Sequence, residues 1–150
     1  MKTARDMMTT PVYTVSPETG IQDLARLFQE KKVSGFPVVN GLGTVVGVVT
    51  ESDLIHQNER LHIPTTVALF DAVLMFGSSK RLEEEFRKMT ATTVGEIMNP
   101  KPLILSPDAT LVEIATLMGE RRIHTFPVVD SSGKLVGVIG KRDLIRAMAK

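Results

Sequence analysis

The sequence predicts a mixed α/β fold of the α+β kind. Two β-α-β-β-α repeats pack sheet to sheet about a pseudo-two-fold axis, with a helical inter-repeat segment between them. Three observations carry this reading. The chain matches itself at a single offset of ninety residues, with no gap from Met8 to Ile55. Ser16-Pro17 falls on Ser106-Pro107, Phe36-Pro37-Val38-Val39 on Phe126-Pro127-Val128-Val129, Val46-Gly47-Val48 on Val136-Gly137-Val138, and Asp53-Leu54-Ile55 on Asp143-Leu144-Ile145. Such register marks a duplication. Within each copy the apolar spacing alternates between helix-like and strand-like runs. A lone unit of this size buries one face of its sheet poorly, so the pair is the expected folding unit and the two copies are expected to share a core. The divisions that follow are residues 1–57 for the first repeat, 58–93 for the inter-repeat segment and 94–150 for the second.

Each copy opens on a short extended piece, Val12 to Val15 or Leu103 to Leu105, as the first of three expected strands. It stops at Ser-Pro, where proline disfavours helix for the residue before it. A helix follows. Thr110 and Glu113 have capping-box spacing, and Leu111, Ile114, Ala115 and Met118 share one face. The first copy repeats that face with Ile21, Leu24, Ala25 and Phe28, behind the weaker cap Gly20. The strands Phe36 to Val39 and Phe126 to Val129 come next. They end at Asn40-Gly41-Leu42-Gly43 and Asp130-Ser131-Ser132-Gly133, turn chemistry that returns the chain antiparallel. The returning strands are Val45 to Thr50 and Leu135 to Ile139, and closing helices start near Ser52 and Lys141. The 58–93 segment is longer than ordinary connections. Thr65 to Phe76 and Lys80 to Met89 have helical spacing, consistent with a hairpin covering the module or with a dimer or partner surface.

Composition narrows the function. The net charge is +1 at pH 7, with 23% charged residues, which argues against nucleic acid, whose binders need a basic surplus. The chain holds no cysteine, which removes disulfides, thiol chemistry and thiolate metal sites. The first residues lack the apolar stretch of a signal peptide, and Val67 to Phe76 is too short to span a bilayer, so a cytoplasmic protein without a membrane association is expected. His56 and His62 lack the spacing of a metal site, and no Walker loop, G-x-G-x-x-G run or nucleophile elbow occurs. Nothing supplies a nucleophile or a paired acid and base, so an enzyme is not expected. Phe36, Phe126 and the methionines read as core or cleft packing.

The chemistry-bearing stretch is the junction of the last strand and the closing helix: Gly47-Val48-Val49-Thr50-Glu51-Ser52-Asp53, and Gly137-Val138-Ile139-Gly140-Lys141-Arg142-Asp143. An aspartate one turn into a helix can accept from two neighbouring ribose hydroxyls, and the helix N-terminus suits phosphate. The same aspartates also suit plain helix capping.

The succession Ser-Pro … Phe-Pro-Val-Val … Gly-Val-Val-Thr-x-x-Asp resembles the cystathionine-β-synthase (CBS) domain, and the tandem pair resembles a Bateman module, from about Met8 to Met148. The resemblance implies a regulatory, energy-sensing pair that binds an adenosine-containing ligand (AMP, ADP or ATP, with S-adenosylmethionine or NAD as further options) in two clefts between the repeats. It also implies a homodimer, an unidentified effector protein and no obligatory cofactor. Carried over, Thr50 and Asp53 match the ribose-binding pair and Asp143 the second aspartate. Gly140 stands where a second threonine belongs, and Lys141 and Arg142 flank it where the first copy has Glu51 and Ser52. The two clefts should differ, with the intact Thr50–Asp53 site the stronger. Ser34 and His124, the latter after Arg121 and Arg122, occupy the position used to reach phosphate, and Val48 and Val138 would pack on adenine through side chain and backbone. The alternative to a sensor is a ligand-free dimeric scaffold, towards which Gly140 and Glu51 lean.

Overall fold

The computed structural model describes residues 2–61 and 92–149, and the helices predicted over 65–76 and 80–89 lie outside them. In chain order the elements are α1 (Ala4–Met7), α2 (Ile21–Lys31), β1 (Gly35–Val39), β2 (Val45–Thr50) and α3 (Glu51–Leu61). They are followed by α4 (Val94–Ile97), α5 (Leu111–Arg121), β3 (Thr125–Val129), β4 (Leu135–Gly140) and α6 (Lys141–Met148).

Both hairpins form as their turns dictate. β1 pairs antiparallel with β2 and β3 with β4, each with a register shift at the second valine of its Val-Val pair. The Oδ1 atom of Asn40 accepts the N–H groups of Leu42 and Thr44 at 2.9 and 3.0 Å, and Asp130 does the same for Ser132 and Lys134. Gly43 and Gly133 then close the turns at φ of 79° and 87°, where a side chain would be strained. The expected third strand shrinks to one residue in each copy. Val15 makes a parallel bridge to Val38 and Leu105 to Val128, because the prolines at 11, 17, 102 and 107 leave little room for a ladder.

The capping box of α5 is present in both directions. Thr110 Oγ1 accepts from the Glu113 N–H, and Glu113 Oε2 accepts from the Thr110 N–H, each at 3.2 Å. The face of α2 turns inward at Leu24 and Phe28, while Ala25, grouped with them by spacing, is exposed.

The expected single core is instead two. One gathers Val15, Leu24, Phe28, Phe36, Val38 and Val49, and the other Leu105, Ile114, Met118, Phe126, Val128, Ile139 and Leu144. Each is completed by the lead-in of the opposite copy. Ala4 and Met7 of α1 enter the second core, and Val94 of α4 enters the first. Backbone hydrogen bonds fix both crossings: the Ala4 N–H donates to the Ala109 carbonyl at 2.8 Å, and the Val94 N–H to the Thr19 carbonyl at 2.8 Å. At the end of each crossing a methionine lies over a glycine of the returning strand. Met98 Sδ stands 2.5 Å from where a β-carbon on Gly47 would lie, and Met8 Sδ 2.3 Å from the same point on Gly137. The two sheets meet where β3 touches β1 and β2, with Gly35 against the side chain of Thr125. The halves are therefore strapped together by exchanged segments as well as by sheet contact.

Candidate functional site

β2 runs directly into α3, so Thr50 ends a strand and Asp53 sits in the first helical turn. Asp53 Oδ2 accepts from the Thr50 N–H at 2.8 Å and from its hydroxyl at 3.0 Å, while Thr50 Oγ1 accepts from the Asp53 N–H at 3.3 Å. Capping therefore occupies one carboxylate oxygen. Asp53 Oδ1 has no partner among the described residues, and the side chain is half-buried at the head of an eleven-residue helix.

The second copy uses its aspartate differently. Asp143 is 6% exposed. Its Oδ2 accepts from the Gly140 N–H at 2.7 Å, which is half a capping box, since Gly140 has no hydroxyl to return. Its Oδ1 accepts the Thr9 hydroxyl at 2.6 Å and the Arg146 guanidinium, so both oxygens are engaged. Thr9 arrives on the crossing lead-in, held by a reciprocal pair of backbone bonds with Val138 at 2.8 and 3.3 Å. Asn99 holds the matching place against Val48, at 2.8 and 3.1 Å; its side-chain oxygen accepts from the Lys101 N–H at 3.1 Å, and its amide N–H makes no hydrogen bond to Asp53. His56 stands where Arg146 stands in the second copy, and its Nδ1 lies 2.7 Å from the Ser52 carbonyl oxygen.

These bonds also narrow what Val48 and Val138 offer. Their backbone N–H and C=O groups are paired with Asn99 and Thr9, leaving the side chains, buried at Val48 and half-buried at Val138, as the apolar surface. Ser34 and His124 are exposed at the entry to β1 and β3. The Ser34 carbonyl accepts from the Glu51 N–H at 3.1 Å. A β-carbon on Gly140 would lie 3.9 Å from Ser34 Oγ, 3.8 Å from Asp143 Oδ2 and 3.7 Å from the His124 carbonyl oxygen. Ser34, His124 and Asp143 thus gather around Gly140 across the pseudo-dyad, while the Ser34 carbonyl also holds the head of α3. Lys141 and Arg142 are exposed at the head of α6, with no side-chain bond to either carboxylate among the described residues.

Sequence reasoning did not single out Thr9, Asn99 or Arg146. Arg146 was accessible to it, three residues beyond Asp143 on one helix face, a spacing that brings side chains together. Thr9 and Asn99 carry no such local signal.

A half-exposed carboxylate with an available acceptor oxygen, beside a hydroxyl and a helix N-terminus, suits a polyhydroxyl ligand carrying an anion. Two strand-to-helix junctions, each with an aspartate one turn into the helix, on duplicated strand-turn-strand-helix units that exchange their lead-ins, define a tandem CBS pair. The chain belongs to the CBS domain family, whose model matches residues 4–59 and 94–150. It is 32% identical to an uncharacterised protein of Methanocaldococcus jannaschii over 96% of this chain and 89% of that protein. It is likewise 32% identical to the chloroplastic CBS domain-containing protein CBSX2 of Arabidopsis thaliana, over 91% of this chain and 58% of that one. The structure of CBSX2 in complex with AMP superposes with a TM-score of 0.75 at 30% identity, covering 99% of this chain and 97% of that chain. An enzyme also matches, the inosine-5'-monophosphate dehydrogenase of Korarchaeum cryptofilum, at 27% identity over 96% of this chain, but the chain spans only 24% of it. No helix among the described residues is long and apolar enough to cross a membrane.

Proposed function

We propose that this CBS pair is a regulatory module that binds an adenine nucleotide of the AMP, ADP or ATP type and reports its occupancy by a change of shape or of partner affinity, without catalysing a reaction. The observation that carries the reading is Asp53, whose Oδ1 has no partner among the described residues at the head of α3 while Oδ2 is fixed by Thr50. A ribose diol donates two hydrogen bonds, and a carboxylate held in place accepts them without losing rotamer freedom at the moment of binding. The likeness to CBSX2, solved with AMP, supports the adenosine part of the ligand. The phosphate end is assigned to the helix N-terminus and the exposed Ser34 and His124 positions.

The exchanged lead-ins give the signal a route. A ligand touching both halves favours one relative setting of them, and shifts that setting only by its difference in affinity for the two. A hundredfold difference corresponds to about 2.7 kcal/mol. The working unit in this reading is a cytoplasmic homodimer that acts on a separate effector protein. Ile55 and Ile145, exposed at equivalent positions of the closing helices, suit a two-fold contact.

The test is a thermal-shift series of the wild type and Asp53→Ala against AMP, ADP, ATP, S-adenosylmethionine and NAD. Ligand at 100 times its Kd adds about 2.7 kcal/mol of stability, a rise of several degrees. The reading predicts a rise with at least one nucleotide that Asp53→Ala removes. A flat response from folded protein, with a dimeric mass, leaves the scaffold alternative, which the internal pairing of Asp143 favours.

A further inference from the structure

The two aspartates are equivalent by duplication, yet among the described residues one bonds only to Thr50 and the other is tied to three partners. We infer that Thr9 and Arg146 form an internal latch on Asp143 that closes the second cleft, so that the module takes one nucleotide, at Asp53. The inference rests on the nucleotide reading above and specifies which of its two sites works.

Asp143 holds the Gly140 N–H on one oxygen and the Thr9 hydroxyl and Arg146 guanidinium on the other. A ribose diol approaching it finds both oxygens engaged and the carboxylate 6% exposed. Binding there requires displacing a charge-assisted bond and a 2.6 Å hydroxyl bond before any new bond forms. At Asp53 neither partner has a counterpart among the described residues. Asn99, at the place of Thr9, makes no side-chain hydrogen bond to Asp53; its amide oxygen accepts from the Lys101 N–H instead. His56, at the place of Arg146, is directed to the Ser52 carbonyl. Gly140 fits the same account: the hydroxyl missing from its own strand is supplied from the other copy's lead-in by Thr9, but directed at the oxygen that Asp53 leaves open.

Arg146 is largely exposed, and it borders a cavity of about 140 Å³ shared with Lys2, Asp6, Met7 and Ala147. Asp6, whose carboxylate accepts from Thr3, lines the same cavity. The backbone of Thr9 is held by its pairing to Val138, so its hydroxyl is released from Asp143 by side-chain rotation with the lead-in in place.

The test is isothermal titration of AMP into the wild type, Thr9→Val, Arg146→Met and the double variant, each with and without Asp53→Ala. Valine keeps the shape of Thr9 and methionine the apolar stem of Arg146, and circular dichroism melting confirms that each variant is folded. The expected result is one AMP per wild-type chain, none with Asp53→Ala, and two with Thr9→Val/Arg146→Met. The second site then survives Asp53→Ala, and its affinity is at least about tenfold above that of the latched cleft, the equivalent of one charged hydrogen bond. Two AMP in the wild type, retention of the wild-type site after Asp53→Ala, or a stoichiometry of one in the folded double variant overturns the latch while leaving nucleotide binding intact. No heat from any protein with AMP, and none when ADP and ATP are titrated in its place, overturns the nucleotide reading and the latch with it.

Discussion

Replacing Gly137 by alanine tests the crossing of the N-terminal lead-in onto the second half. The added β-carbon would lie 2.3 Å from Met8 Sδ, 2.7 Å from Cγ and 2.9 Å from Cβ. Ordinary carbon contacts are near 3.5–4.0 Å, so the whole Met8 side chain must move by about an ångström, and its Cβ cannot swing aside without the backbone. Met8 packs on the second core, and the next residue, Thr9, is bonded to Val138 on the same strand, so the shift strains a fixed ladder. Overpacking of this kind costs about 2 kcal/mol, within a range of about 1–3. For a chain of this size that lowers the melting temperature by about 4–8 °C. Urea unfolding of wild type, Gly137→Ala, Met8→Ala and the double variant measures it. Because the two residues collide, the double variant should be more stable than the sum of the single losses implies, by about 1 kcal/mol or more. A Gly137→Ala protein as stable as wild type, or strict additivity, would refute the crossing.

Three further expectations follow from the same packing. Thr125 Oγ1 is buried without a hydrogen-bond partner among the described residues, against Gly35. Thr125→Val removes that unsatisfied group and should raise stability by roughly 1 kcal/mol in urea unfolding, and a loss of that size would show the hydroxyl to be satisfied. Thr110→Ala removes one arm of the α5 capping box and should cost about 1 kcal/mol, read as a fall of roughly 2–4 °C in a thermal melt. The carboxyl of Asp130 is held below its ordinary value of 3.8, first by the Ser132 hydroxyl and then by the Lys134 N–H. A folded pKa below the unfolded one stabilises above pH 3.8 and is lost as pH falls through the lower folded value. Between about pH 5 and pH 2 the wild type should therefore lose more stability than Asp130→Asn, and equal losses would contradict the assignment.

The parts of this molecule that were legible in the sequence are those set by near neighbours. The Asn40 and Asp130 turns, the Thr110–Glu113 box and the returning strands Val45–Thr50 and Leu135–Gly140 each depend on residues a few positions apart. The duplication also located both aspartates at helix heads. Spacing misled where it stood in for contact. Val12 to Val15 reads as a strand, yet only Val15 finds a partner, and Ala25 shares the period of Leu24 and Phe28 without sharing their burial. The exchange of lead-ins was not legible, because Ala4, Met7 and Val94 are apolar residues in short runs whose destination is set by packing between distant segments. The same distance hid Thr9, which meets Asp143 across 134 residues of chain. The inequality of the two sites, expected from Gly140, thus has a further source in Thr9, a partner that the local pattern does not name.

The most direct measurement is a crystal structure of the protein grown with AMP. The account predicts AMP with its ribose hydroxyls within hydrogen-bond distance of Asp53, and Asp143 still bound to Thr9 and Arg146. A nucleotide seated on Asp143, or crystals that hold none at saturating AMP, would contradict it.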